Sequence, residues 1–123
     1  MALRHTCSRG TRRAVGALAV LLLAACGGAS EATAPPEPTG AQADDPALVQ
    51  GRAVYLSSCA SCHGLGGQGA SGPRLAGEMT ERYPDVEDQI AVVASGPGLM
   101  PAFAGVLSPE QLEAIVRYTR EVL

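Results

Sequence analysis

The final sixteen residues, "SPEQLEAIVRYTREVL" (Ser108–Leu123), carry apolar or core-compatible side chains at Leu112, Ile115, Val116, Thr119, Val122 and Leu123. Steps of three and four residues put these on one stripe of a helix. The start of that helix is marked three times over. Ser108 is a capping residue, Pro109 fits the first helical position, and Gln111 completes a capping box. A second helix is predicted near the start of the folded region, where Asp45 can cap and Pro46 follows. Leu48, Gly51 and Tyr55 fall on one face of it, and Val49, Ala53 and Leu56 widen the apolar side. A third runs from about Asp85 to Ala94 with Val86, Ile90 and Val93 inward. Asp85, Glu87 and Asp88 gather at its start, where the helix dipole favours negative charge. Glycine-rich loops at Gly64–Gly72 and Ser95–Pro101 separate the helices. No stretch alternates as a strand would, so the fold class is all-α with long loops.

The first 43 residues do not share this pattern. Arg4, Arg9, Arg12 and Arg13 precede an apolar run, Ala14–Ala25, that is too short to span a bilayer as a mature helix. The run stops at Cys26 in "LLAACGG". This segment resembles the lipobox of bacterial lipoproteins, which implies a signal peptide over 1–25, acylation of Cys26 and export to a membrane-attached, extracytoplasmic position. Gly27–Ala43 is small, polar and proline-rich, and is expected to be a lipid-anchored flexible linker over 26–43 without contacts of its own. Extended at roughly 3.1 Å per residue it would reach about 50 Å.

Charge narrows the function. The whole chain has a formal net charge of −3 and no lysine. Without the signal, Arg52, Arg74, Arg82, Arg117 and Arg120 stand against all twelve acidic residues. A chain so negative is not expected to bind nucleic acid, where phosphate demands positive charge. The folded region, 44–123, holds only Tyr55, Tyr83, Phe103 and Tyr118 as aromatics, beside many alanines and glycines. So small a core usually needs a staple.

The staple is sought at Cys59, Cys62 and His63, in "SSCASCHGLGG". Cys7 leaves with the signal and Cys26 takes the lipid, so these three are what remains. Structural zinc needs four ligands, and only these donors are present. A thioredoxin-like dithiol needs a strand–helix context that is absent. A disulfide would close a tiny loop and leave His63 unused. C-x-x-C-H is also the attachment signature of c-type haem. In it the two sulfurs form thioethers with the porphyrin vinyl groups and the histidine ligates the iron. A large flat apolar cofactor would fill the core as well. For the second axial position the mature chain offers only Met79 and Met100. Met100 lies in a glycine–proline loop, "GPGLMPAF", suited to bring a thioether to the iron; Met79 suits core packing.

Residues 45–123 resemble a class I mono-haem cytochrome c of the small bacterial type, with three to four helices around one haem. The run Gly51–Gly64, which ends in "YLSSCASCHG", resembles the family's first helix and haem site, and "GLMPAF" its axial methionine loop. "GPRL" (Gly72–Leu75) resembles the loop whose proline carbonyl accepts a hydrogen bond from the haem histidine. The resemblance thus implies haem-binding roles for Pro73 and Leu75. "LEAIVRYTREVL" resembles the closing helix, with Tyr118 crossing Gly51. The lysine ring of basic relatives is missing here.

The expected function is single-electron transfer with His63 and Met100 as axial ligands, without a small-molecule substrate. By resemblance, the partners are respiratory complexes, terminal oxidases or periplasmic dehydrogenases and reductases. Two other readings are a gas sensor or weak peroxidase with an open sixth position, and a fixed subunit of a larger complex.

Overall fold

The structure, a computed structural model, describes residues 34–123. Five helices follow a single 3₁₀ turn at Gly40–Gln42: α1 (Pro46–Ser58), α2 (Ala60–His63), α3 (Met79–Arg82), α4 (Val86–Ser95) and α5 (Pro109–Glu121). No strand occurs among the described residues. The all-α architecture is the one the hydrophobic pattern requires.

Helix starts follow their local signals. The Asp45 side chain accepts a hydrogen bond from the Ala47 amide at 2.9 Å, ahead of Pro46. At α5, Ser108 accepts from the Gln111 amide while the Gln111 side chain accepts from the Ser108 amide, at 3.3 and 2.9 Å. Such caps satisfy donors that the helix itself leaves orphaned. Asp85 precedes α4 without a side-chain cap bond.

α1 and α5 pack at very close range. A Cβ on Gly51 would lie 2.2 Å from the Ala114 carbonyl oxygen and 2.7 Å from the Tyr118 Cβ. The rings of Tyr55 and Tyr118 meet beside this crossing with centroids 5.5 Å apart and tilted by 44°, an arrangement that favours aromatic pairs. Val54, Ala60 and Ile115 complete the central cluster. Burial pushes both tyrosine hydroxyls up to about 12, so they remain neutral donors. Tyr55 donates to the Gly64 carbonyl at 2.5 Å. Arg117 on α5 bridges Asp45 at 2.9 Å and Glu121 at 2.8 Å. The Arg117 bond holds the Asp45 carboxyl below its ordinary pKa.

Three expectations need correction. Leu48, Gly51 and Tyr55 are buried as predicted, but Val49, Ala53 and Leu56 are exposed, Val49 and Leu56 by about half. Val54 takes the inner position instead. α1 is apolar around most of its circumference, so sequence spacing could not decide which flank faces inward. Second, the loops between the main helices hold α2 and α3, one-turn helices too short to leave a periodic signal. Third, Gly27–Ala43 is not wholly a spacer without contacts. The Pro35 carbonyl accepts from Arg52 at 3.1 and 3.2 Å, and the Pro36 carbonyl from Tyr118 at 2.6 Å. Glu37 pairs with Arg52 at 3.1 Å, and Gln42 donates to the Glu121 carbonyl at 3.1 Å. Proline has no amide hydrogen, so a proline run offers acceptors only. Arg52 and Tyr118 supply the matching donors.

Gly51→Ala should destabilise the haem-loaded protein by about 1–3 kcal/mol, the usual cost of overpacking. Urea unfolding measures this, and an unchanged midpoint would contradict the close crossing.

Candidate haem-binding site

α1 ends at Ser58, and the chain turns at Cys59 before resuming helical form in α2. The Cys59 carbonyl accepts from the amides of Cys62 and His63, at 3.1 and 2.9 Å. Cys59 and Cys62 are therefore one helical turn apart and on the same side of the backbone. They form no disulfide. Burial, and secondarily Cys62, pushes the Cys59 thiol up to about 11. Redox-active dithiols have a lowered thiol pKa, the opposite of the direction at Cys59.

The next loop folds back and clamps the histidine. The Gly69 amide donates to the His63 carbonyl at 2.7 Å and the Gly72 amide to the Cys62 carbonyl at 2.8 Å. His63 Nδ1 then lies 2.8 Å from the Pro73 carbonyl oxygen. A carbonyl can only accept, so Nδ1 donates here and Nε2 is the ring nitrogen left for a metal. Gly72 must be glycine for this fit. A Cβ there would stand 2.9 Å from His63 Cε1 and 3.0 Å from Nδ1.

A cavity of about 380 Å³ opens beside this clamp, with mostly apolar walls. Its lining includes each predicted haem-site residue: Cys59, Cys62, His63, Pro73, Leu75 and Met100. On the far wall, α4 ends at Gly96 in the left-handed region (φ +63°), and the chain crosses tightly over it. A Cβ on Gly96 would lie 2.3 Å from the Pro101 carbonyl carbon. This return brings Met100 to the cavity and buries Phe103. Met79, only 3% exposed, is core as predicted, yet it also touches the cavity.

Sequence reasoning missed Gln89 and Thr119 in the same wall. Gln89 is 3% exposed and donates to Thr119 Oγ1 at 2.9 Å. Its signal was available: Gln89 stands three residues after Val86 and four before Val93, on the inward face of α4.

The site's chemistry fits covalent haem. Two thiols are presented from one turn, an imidazole is oriented through its Nδ1 with Nε2 left for a metal, and a glycine stands against the ring. The family described as cytochrome c oxidase, cbb3-type, subunit III matches residues 46–118. The chain belongs to this family of c-type cytochromes. It is 37% identical over 71 residues to cytochrome c6 of Leptolyngbya boryana, covering 55% of this chain and 84% of that protein. It is 30% identical over 107 residues to cytochrome c-551 of Bacillus subtilis, covering 87% and 90%. The solved cytochrome c6C of Synechococcus sp. PCC 7002 superposes with a TM-score of 0.51 at 30% identity, over 58% of this chain and 92% of that one. This c-type cytochrome carries one covalent haem c and is a class I mono-haem electron carrier.

Gly72→Val should push the His63 ring off its Pro73 contact and lower the yield of haem-loaded protein. Absorbance of the purified protein at the haem band checks this; wild-type loading would contradict the clamp.

Proposed function

We propose that the protein is a membrane-tethered shuttle for single electrons, with His63 and Met100 as the axial ligands of its haem iron. The observation that carries this reading is the convergence on one cavity of the cysteine pair, the Pro73-oriented imidazole and the Met100 loop. When bound, haem c supplies an iron that cycles between ferrous and ferric states. The chain's own part is to keep both axial positions filled and water out. Pro73 fixes the imidazole plane and raises its basicity. Gly96 and Pro101 shape the loop that holds Met100. With His63 and Met100 both ligating, the iron would have no place for a substrate and little to rearrange when an electron moves, and such a pair would favour a high potential.

The tether belongs to the same proposal. Cys26, its expected lipid site, and the signal segment lie outside the described residues. No helix among the described residues is long and apolar enough to cross a membrane. Contacts of Pro35, Pro36 and Glu37 with α1 and α5 leave eight residue steps between Cys26 and Ala34, or roughly 28 Å at full extension. The shuttle would work close to the extracytoplasmic membrane surface, where tethering raises the local concentration of membrane partners. The partners proposed are respiratory complexes, terminal oxidases or periplasmic dehydrogenases and reductases; the family's own description points first to an oxidase.

Ferric and ferrous spectra, with and without carbon monoxide, test the ligation. Wild type should show the methionine–iron charge-transfer band and ignore carbon monoxide, and Met100→Ala should lose both properties. Ready binding of carbon monoxide by wild type would instead favour a gas sensor or weak peroxidase. Loss of the band in Met79→Leu rather than Met100→Ala would reassign the ligand. Separately, Cys26→Ala should move the protein from the membrane to the soluble fraction, and unchanged fractionation would defeat the tether.

A further inference from the structure

We propose that Arg120 is a positioning residue for the redox site, whose unneutralised cation biases the haem towards its reduced state. The described residues contain five arginines, and four pair with carboxylates. Arg52 pairs with Glu37, Arg74 and Arg82 with Glu78, and Arg117 with Asp45 and Glu121. Arg120 has no ion pair among the described residues. Its guanidinium is held by neutral oxygens: the carbonyls of Tyr83 at 2.8 Å and Pro84 at 3.3 Å, and Gln89 Oε1 at 3.1 Å. Asp85, next along from Pro84, is exposed and makes no ion pair with it.

Arg120 does not itself line the haem cavity, but residues that hold it do. Tyr83 and Gln89, which it grips, both line the cavity, as does Thr119. Gln89 turns its oxygen to Arg120 and its amide nitrogen to Thr119 Oγ1, and Thr119 donates onward to the Val116 carbonyl at 2.9 Å. The amide dipole is thus fixed with its negative end on the arginine. Its Nε2 has a second hydrogen without an acceptor among the described residues. Arg120 is half-buried and Gln89 is buried, so solvent screens the field towards the cavity only in part. Arginine stays protonated. Reduction adds one electron to the site and moves no proton at Arg120. A nearby positive charge therefore favours the reduced form and raises the potential. Among these arginines, Arg120 is the cation that no carboxylate pairs with among the described residues, while Arg82, which lines the cavity, is paired with Glu78.

The inference rests on the one-electron couple proposed above, and not on the tether or on which methionine ligates. The test is redox titration of the haem-loaded protein, following the visible spectrum. Arg120→Gln removes the charge and keeps a donor for the carbonyls. It should lower the reduction equilibrium constant about threefold to tenfold, a tenfold fall being 59 mV for one electron. Arg120→Lys keeps the charge and should stay within threefold of wild type. Arg120→Met removes the charge, keeps an unbranched side chain of similar reach and adds no new charge; it should lower the potential even if Arg120→Gln fails to fold. Wild-type potentials in both neutralising variants would overturn the inference, as would a fall in Arg120→Lys equal to that in Arg120→Gln. A wild type without a reversible couple would overturn both this inference and the proposed function.

Discussion

At Gly51 the backbones of α1 and α5 approach until a methyl group would sit 2.2 Å from a carbonyl oxygen of the facing helix. That closeness sets the geometry of the rest. It lets Tyr55 and Tyr118 meet beside the crossing, and Tyr55 then reaches the Gly64 carbonyl just after the haem histidine. α1 thereby delivers Cys59 and α2 to the cavity at a fixed angle, while α5 contributes Ile115 and Thr119 to its lining. The two helices act as a frame, and the loops between them carry the chemistry.

The frame alone makes a small core. Its central cluster is Val54, Tyr55, Ala60, Ile115 and Tyr118, and few other apolar side chains are fully buried, chiefly Leu48, Leu112, Ala114 and Val116 on the two helices. Further apolar surface lines the cavity. Glycine-rich loops raise the entropy lost on folding, and a domain of this size rarely offsets that without a cofactor or cross-link. Covalent haem serves as both. Seated in the cavity, it would bring together α2 and the loops that carry Pro73 and Met100, all of which line it. Folding and redox function thus draw on the same contacts, so residues that hold the haem also set its environment.

The parts of this arrangement that were legible in the sequence are those decided locally. Asp45–Pro46 and Ser108–Pro109–Gln111 cap helices through neighbours a few residues away. Cys59, Cys62 and His63 are adjacent in one short motif, so their spacing could be read without the fold. What was not legible depends on distant partners. Whether Val54 or Val49 faces inward is settled by α5, since α1 is apolar on both flanks. The contacts of Pro35 and Pro36 need the donors of Arg52 and Tyr118, far along the chain. The bond between His63 and Pro73 was expected only through the family resemblance, because a proline carbonyl leaves no mark in a sequence. Gln89 was overlooked as an ordinary polar residue, though it lies on the buried face of α4.

The central claim is that haem completes the core of this domain. The most direct test compares thermal unfolding of the mature chain with and without attached haem, followed by far-ultraviolet circular dichroism. The account predicts a cooperative transition for the haem-loaded protein and a largely unfolded, non-cooperative chain in its absence. A haem-free chain that melts cooperatively with the same helix content would contradict it.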